Sequence, residues 1–538
     1  MLRNKKILFA VMALAISVFL VACGGNDDSA SGGNDDSTSN NNEVANAGDP
    51  VGVSGSSDEF ILAIGGEIPT LDPHGANLTA ASQVQTHTLS RLVEQNVDLS
   101  LRPGLATSWE QLDDQRWQFN LRNDVYFHNG DHMTASDVAF SLTRAAESAH
   151  VTPVLGMIDP SKMEIIDDYT IIIGTTYPFA PFLSHLAHTA ASIISENALG
   201  DVAPIASNDL IVGTGPYQII ANTSGVELVM ERWDDYHGDQ PNMRLLTFRI
   251  IADAPARTFA LESGEVDAIL APPPADIQRL EDRDDVIVPV VAGLGVEYVM
   301  LNNYHIPDRR IRQAINYAVN TEEIVAVTTE GTFDVASGFI NANVFGHNPN
   351  FVGYSHDVAR ARELMIEAGY SGEPGANDLS LVINANGENQ IRMQSAEIIA
   401  NQLREIGINL TIETPEFNAM MDSIGRREVA MATLGWGTVT GDADYALFPL
   451  FHSSAHSPST NHALLDNAEL DELIERARAS TDPQERIDLY WEAQEILHYE
   501  APWILLSNSN LRVPSRSNVR GMIIMPHQGH FFGHTYFE

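Results

Sequence analysis

The chain has 538 residues, a single cysteine, and 30 lysines and arginines against 72 aspartates and glutamates, for a formal net charge of −42. So acidic a surface repels nucleic acid and anionic lipid headgroups, and one cysteine excludes an internal disulfide. The excess of carboxylates serves solubility and does not by itself name a ligand.

In chain order, Arg3, Lys5 and Lys6 precede an apolar run from Ile7 to Ala22 that only Ser17 interrupts. This is the pattern of a secretory signal, and the run is too short to span a bilayer comfortably. It ends in Leu20-Val21-Ala22-Cys23, which matches the bacterial lipobox. Residues 1–22 are therefore expected to be a lipoprotein signal peptide. The Cys23 sulfur is expected to carry a diacylglyceryl group that anchors the mature chain on the extracytoplasmic face of the cell membrane. Residues 23–57 are Gly, Ser, Asn and Asp with almost no large apolar side chains. They cannot bury enough surface to offset their ordering entropy, which predicts a disordered tether. From Asp58 to Glu538 the chain exceeds the roughly 250–300 residues at which one core stops growing, so at least two lobes are expected.

Short strand patterns then alternate with longer helical ones, which argues an α/β fold. Phe60 to Ile64 is a compact apolar run, and Trp117 to Leu121 alternates at period two before a turn at His128-Asn129-Gly130. Thr134 and Asp137 stand where a helix N-cap and its acidic third residue belong. Ile171 to Ile173, Leu245 to Ile251 and Asp267 to Leu270 read as strands, after which Pro272, Pro273 and Pro274 break the pattern. Ile311, Ile315, Ala318 and Val319 recur at helical spacing and predict a helix over Asp308 to Val319. Asp357 to Glu367 is a second helix closed by Gly369; Leu381 to Ile383 is a strand, Ala396 to Ile406 a helix ended by Gly407, and Ile408 to Ile412 a strand. Thr481-Asp-Pro-Gln484 reads as a capping box that starts a helix running to about Tyr499.

There is no G-x-S-x-G elbow, no H-E-x-x-H helix and no G-x-x-x-x-G-K-[ST] loop. No catalytic residue is assigned, the chain is not expected to be an enzyme, and no cofactor is expected. His527, His530 and His534 are spaced so that only the last two share a strand face, which argues for ordinary side chains over a metal site. His452, His456 and His462 are similarly scattered.

Six colinear stretches carry a resemblance: GGEIPTLDPH (Gly65 to His74), LRPGLATSWE (Leu101 to Glu110), WQFNLRNDVYFHNGDHMTASDVAFSLTRA (Trp117 to Ala145), GTGPYQI (Gly213 to Ile219), LNNYHIPDRRIRQAINYAVN (Leu301 to Asn320) and TDPQERIDLYWEAQEILHYEAPWI (Thr481 to Ile504). Together they resemble the solute-binding lipoproteins of peptide and nickel type ABC importers. The resemblance implies a two-lobed type II periplasmic-binding fold with an extra subdomain in the first lobe. It implies lobe I over residues 58–302 plus 503–538, lobe II over 303–502, and capture of a ligand as the lobes close. It also implies ABC permease and ATPase partners and a monomeric receptor that binds no nucleic acid. A surface sensor or chaperone of the same fold, and a nickel or other solute receptor, are the alternatives.

GWGTVTGDADYALFPLF (Gly435 to Phe451) is most similar to glutathione-binding members of that family. In its peptide receptors an aspartate three residues after the tryptophan pairs with the peptide amine; here Val439 stands there, and Asp442 and Asp444 follow. The resemblance implies glutathione or a short peptide as ligand, with Trp436 lining the cleft and Asp442 or Asp444 meeting the ammonium. These two acids equally suit capping of the turn. Because glutathione also carries two carboxylates, Arg392, Asn386 and Asn389 are candidate donors, and Tyr304 past the crossover is expected to face the cleft. Arg309 and Arg312 are read instead as structural ion-pair partners of Asp308 or its neighbours.

Overall fold

The computed structural model describes residues 58–68, 70–75, 78–199, 211–456 and 460–538. The expected signal peptide, Cys23 and the tether lie outside the described residues.

The first lobe is built on a seven-stranded mixed sheet. Its centre is Glu59–Ile64, the compact apolar run, flanked in parallel by Leu245–Ile250 and Ala268–Ile269. Phe60, Leu62, Leu246 and Phe248 are buried together with Tyr217 and Phe532, and the C-terminal segment completes this core. Inserted in the lobe is a four-stranded antiparallel sheet in which Arg116–Leu121 lies between Ala106–Gln111 and Thr170–Gly174. Helix Ala135–Glu147 covers it. Its start is the predicted capping box, with Thr134 N–H donating to the Asp137 carboxylate at 2.9 Å. This sheet and helix enclose their own core around Phe119, Phe127, Leu142 and Phe182, which makes them the added subdomain.

The second lobe is a six-stranded sheet with Val290–Leu301, Met431–Gly437 and Trp503–Arg512 in its interior, and cores on both faces. Helix Arg309–Ala318 starts on Asp308, whose carboxylate accepts the Arg310 N–H at 2.9 Å. Gly407, at φ +80°, turns the chain from the short helix Arg404–Ile406 into strand Ile408–Glu413, as the pattern predicts. Two boundaries differ from the sequence reading. The helix expected from Ala396 begins at Gln390, because the Asn389 side chain caps it through the Arg392 N–H at 3.1 Å. The helix expected to be capped by Thr481 is capped by Asp482, which accepts from the N–H groups of Gln484 and Glu485.

The lobes are joined by two long antiparallel strands, Val290–Leu301 and Trp503–Arg512. Both belong to the second lobe's sheet over most of their length, so the change of sheet occurs near Val290 and Arg512. The expected boundaries at 302 and 503 fall at the far ends of these strands, deep in the second lobe. Gly293 and Gly295 interrupt the apolar run of the first of these strands. They sit in a bulge, with Asn343 donating to the Gly293 carbonyl at 3.2 Å and Asn341 to that of Gly295 at 2.9 Å.

Candidate ligand cleft

Strand Met431–Gly437 runs antiparallel to Val290–Leu301 with Trp436 opposite Val296. Its last residues, Gly435-Trp436-Gly437, end the strand where the second lobe meets the first. Together with Val439 and Tyr445 they form one wall of a cavity of about 220 Å³. The other wall comes from the first lobe: Thr79 and Ser82 of helix Thr79–Thr88, then Arg91, Gln95, Ala187, His188, Thr189, and the C-terminal turn His527-Gln528-Gly529. The lobes touch across this line, since Gln95 donates to the Thr440 carbonyl at 3.0 Å.

Trp436 is half-buried, and its Nε1–H donates to the Tyr445 carbonyl at 3.0 Å. The two rings lie tilted with centroids 5.3 Å apart. The indole's one donor is thereby used within the protein, which leaves its apolar face to the cavity.

Asp442 and Asp444 both have internal partners. Asp442 receives the Arg486 guanidinium at 2.8 and 2.9 Å and the Tyr490 hydroxyl at 3.0 Å, and its Oδ1 also accepts the Asp444 N–H at 3.0 Å. Burial pulls the Arg486 pKa down, but Asp442 and Tyr490 more than reverse that and hold the guanidinium above its ordinary value. Asp444 lies 2.8 Å from Arg478 Nε and 3.8 Å from His185 Nε2. Burial pushes its carboxyl pKa up, against the pull of Arg478 and His185. Both carboxylates are about as buried as core leucines, so the acidic turn is a packed element beneath the cleft wall.

The other sequence candidates are spread more widely. Arg392 grips Glu297 through two hydrogen bonds, at 2.9 and 3.2 Å, just behind Gly435; a side chain on Gly435 would collide with this pair. Asn386 turns its side chain back to accept the Glu388 N–H at 3.0 Å. Tyr304 stands apart from the cleft. It follows Leu301, which pairs with Met431 at the opposite end of the strand that carries Trp436, and its ring is 69% exposed. Tyr304, expected to face the cleft, thus lies beyond the far end of Val290–Leu301, whereas the change of sheet lies at its near end. Arg309 and Arg312 do form ion pairs, at 3.4 and 3.1 Å, but with Glu500 from the C-terminal helix, while Asp308 is taken by Arg310.

The sequence pattern does not mark the first-lobe wall. It sets His527 only beside a metal-site spacing and does not single out Arg91, Gln95 or His188. A cation inside the apolar run Leu89-Ser-Arg-Leu-Val93 was the one available signal.

Residues 100–458 match the family model for the middle region of the bacterial extracellular solute-binding proteins, family 5. The chain belongs to that family. The dipeptide-binding protein of Escherichia coli (strain K12) is 29% identical over 476 residues, covering 84% of this chain and 89% of that protein. The glutathione-binding protein GsiB of the same strain is 28% identical over 488 residues, 89% of this chain and 94% of its own. Among solved structures, the periplasmic binding protein DppA from Helicobacter pylori, in complex with the peptide STSA, superimposes with a TM-score of 0.80 at 26% identity, covering 89% of this chain and 98% of that one. This family 5 member is thus a solute-binding protein of the peptide and nickel type with the two-lobed type II fold. Solute-binding proteins of this kind are receptors that act outside the cytoplasm. Among the described residues no helix is long and apolar enough to cross a membrane.

Proposed function

We propose that this protein is the extracytoplasmic binding component of an ABC importer. In this reading it captures glutathione or a short peptide as its lobes close and presents it to a membrane permease driven by ATPase subunits. The supporting observation is the cavity itself, which is lined by Trp436 from one lobe and by polar side chains of the other, so that a ligand there touches both lobes and favours the closed arrangement. Trp436 supplies an apolar face for the ligand, while Asp442 and Asp444 hold the wall that positions it. The protein acts as a monomer tethered through lipid on Cys23, and it catalyses no reaction on what it carries.

The test is mass spectrometry of the small molecule that co-purifies with the protein, followed by thermal melts with reduced and oxidised glutathione and di- to pentapeptides. A ligand that binds only the folded state adds about 2.7 kcal/mol at 100 times its dissociation constant. Trp436→Ala is expected to remove most of that shift while leaving the ligand-free melt nearly unchanged. If a sugar or a free metal ion shifts the melt and no peptide does, the ligand class is wrong.

A further inference from the structure

The cleft contains a cation that no described residue fully engages. Arg91 lines the cavity with its Nε shut off from solvent and, among the described residues, without a hydrogen-bond partner. The acid whose charge acts on it, Glu94, is already paired with Arg102. None of the described side chains that line the cavity is acidic. Desolvating a guanidinium without a counter-ion is costly, and a fold keeps one where a ligand brings the anion.

Two imidazoles share the wall. His188 Nδ1 accepts the Ala190 N–H at 3.0 Å, and His527 Nδ1 accepts the Gly529 N–H at 3.1 Å. A neutral ring that accepts at Nδ1 carries its proton at Nε2. Burial first keeps both rings neutral, with pKa values of about 3 and about 4; the charges of His185, His527 and lastly Arg91 add to it at His188, and that of Arg91 at His527. Each therefore has one N–H left to donate.

We infer that Arg91, backed by the Nε2–H groups of His188 and His527, seats a ligand carboxylate, so that the cleft selects net-anionic solutes over neutral or cationic ones of the same size. The acids near the cleft agree with this, since Asp442 and Asp444 lie against Arg486 and Arg478 and neither lines the cavity. The inference rests on the cavity being the ligand site, as proposed above.

The test is calorimetric titration of the full-length protein with matched pairs of an anion and its neutral form: glutathione and its monoethyl ester, Ala-Asp and Ala-Asn, N-acetyl-Ala-Ala and its amide. The acid of at least one pair should bind at least tenfold tighter than its neutral partner, and Arg91→Met should abolish that preference. The ligand-free Arg91→Met protein should melt at the same or a higher temperature, because a half-buried charge whose Nε no described residue engages has been removed; a merely structural arginine would lower it. Equal binding of acids and neutral partners, or an unchanged preference in Arg91→Met, would overturn the inference. Trp436→Ala separates the two readings. If it weakens acid and neutral forms alike while Arg91→Met changes nothing, the cleft stands and the carboxylate seat falls. If it changes nothing either, or if wild type binds no acid of the panel, both fall.

Discussion

Asp444 of the second lobe places Oδ2 3.8 Å from Nε2 of His185 in the first, and both side chains are buried. Arg478 completes the contact. Its Nε lies 2.8 Å from the other Asp444 oxygen, its backbone carbonyl accepts the Ala180 N–H at 2.7 Å, and its guanidinium covers the Phe448 ring at 3.7 Å and donates to the Tyr177 hydroxyl at 2.9 Å. Burial lowers the His185 pKa, so the charged pair is Asp444 with Arg478 and the imidazole is neutral. The contact ties the subdomain to the second lobe beside the cavity.

Breaking that pair on one side should be more harmful than replacing it whole. Arg478→Ala leaves a buried carboxylate unpaired and is expected to cost about 3–5 kcal/mol, read from urea unfolding. Arg478→Met combined with Asp444→Leu should recover most of the loss. A double variant as unstable as the single one would mean that packing of the arginine against Phe448 dominates.

For Asp442, the geometry predicts a structural phenotype. Asp442→Asn should destabilise the ligand-free protein by a similar amount, about 3–5 kcal/mol, by stranding Arg486 in the interior. Affinity per folded molecule should change less than threefold. An unaltered melt together with collapsed affinity would return Asp442 to the ligand.

Acid should unfold the protein well above the ordinary carboxylate range. Burial holds His74, His87, His128, His237 and His527 at pKa values of about 4, and His188 and His530 at about 3. Their unfolded values lie near 6.5, so between these limits the unfolded chain binds more protons and stability falls as pH drops from about 6.5 towards 4. Each such histidine contributes a slope of up to about 1.4 kcal/mol per pH unit. Asp444 and Asp267 oppose them, because burial raises both carboxyl pKa values and makes the folded state hold a proton more tightly, but they are two groups against seven. Denaturant midpoints at pH 7.5, 6 and 5 should decline steeply; a flat profile would show the rings charging in place.

Anchoring can be examined separately from binding. Labelled fatty acid should enter the wild-type protein and not Cys23→Ser, and the variant should leave the membrane fraction with its ligand affinity intact. Two acyl chains from one diacylglyceryl group suffice for stable attachment. Equal labelling of both proteins would remove the lipid anchor from the reading.

What the sequence determined is local. Apolar periodicity located Glu59–Ile64, Arg116–Leu121 and Ile408–Glu413, while the Thr134 and Asp137 pair and Gly407 marked ends that depend on hydrogen bonds or φ angles a few residues away. Spaced motifs gave the family and with it the two lobes. The cleft was not legible in the same way, because it is assembled from residues hundreds of positions apart: Arg91, His188, Trp436 and His527 line one cavity only after Val290–Leu301 and Trp503–Arg512 have crossed between lobes. Nor could sequence say which charges remain for a ligand. Asp442, Asp444 and Arg392 have the chemistry of binding groups, yet each is paired in charge with a distant segment, through Arg486, Arg478 and Glu297. Among the described residues the Arg91 Nε meets no such partner. Whether a buried charge is spent on the fold or left for the solute is settled by which side chains the tertiary structure brings within about 3–4 Å of it, where charge pairing outweighs everything the local chain encodes.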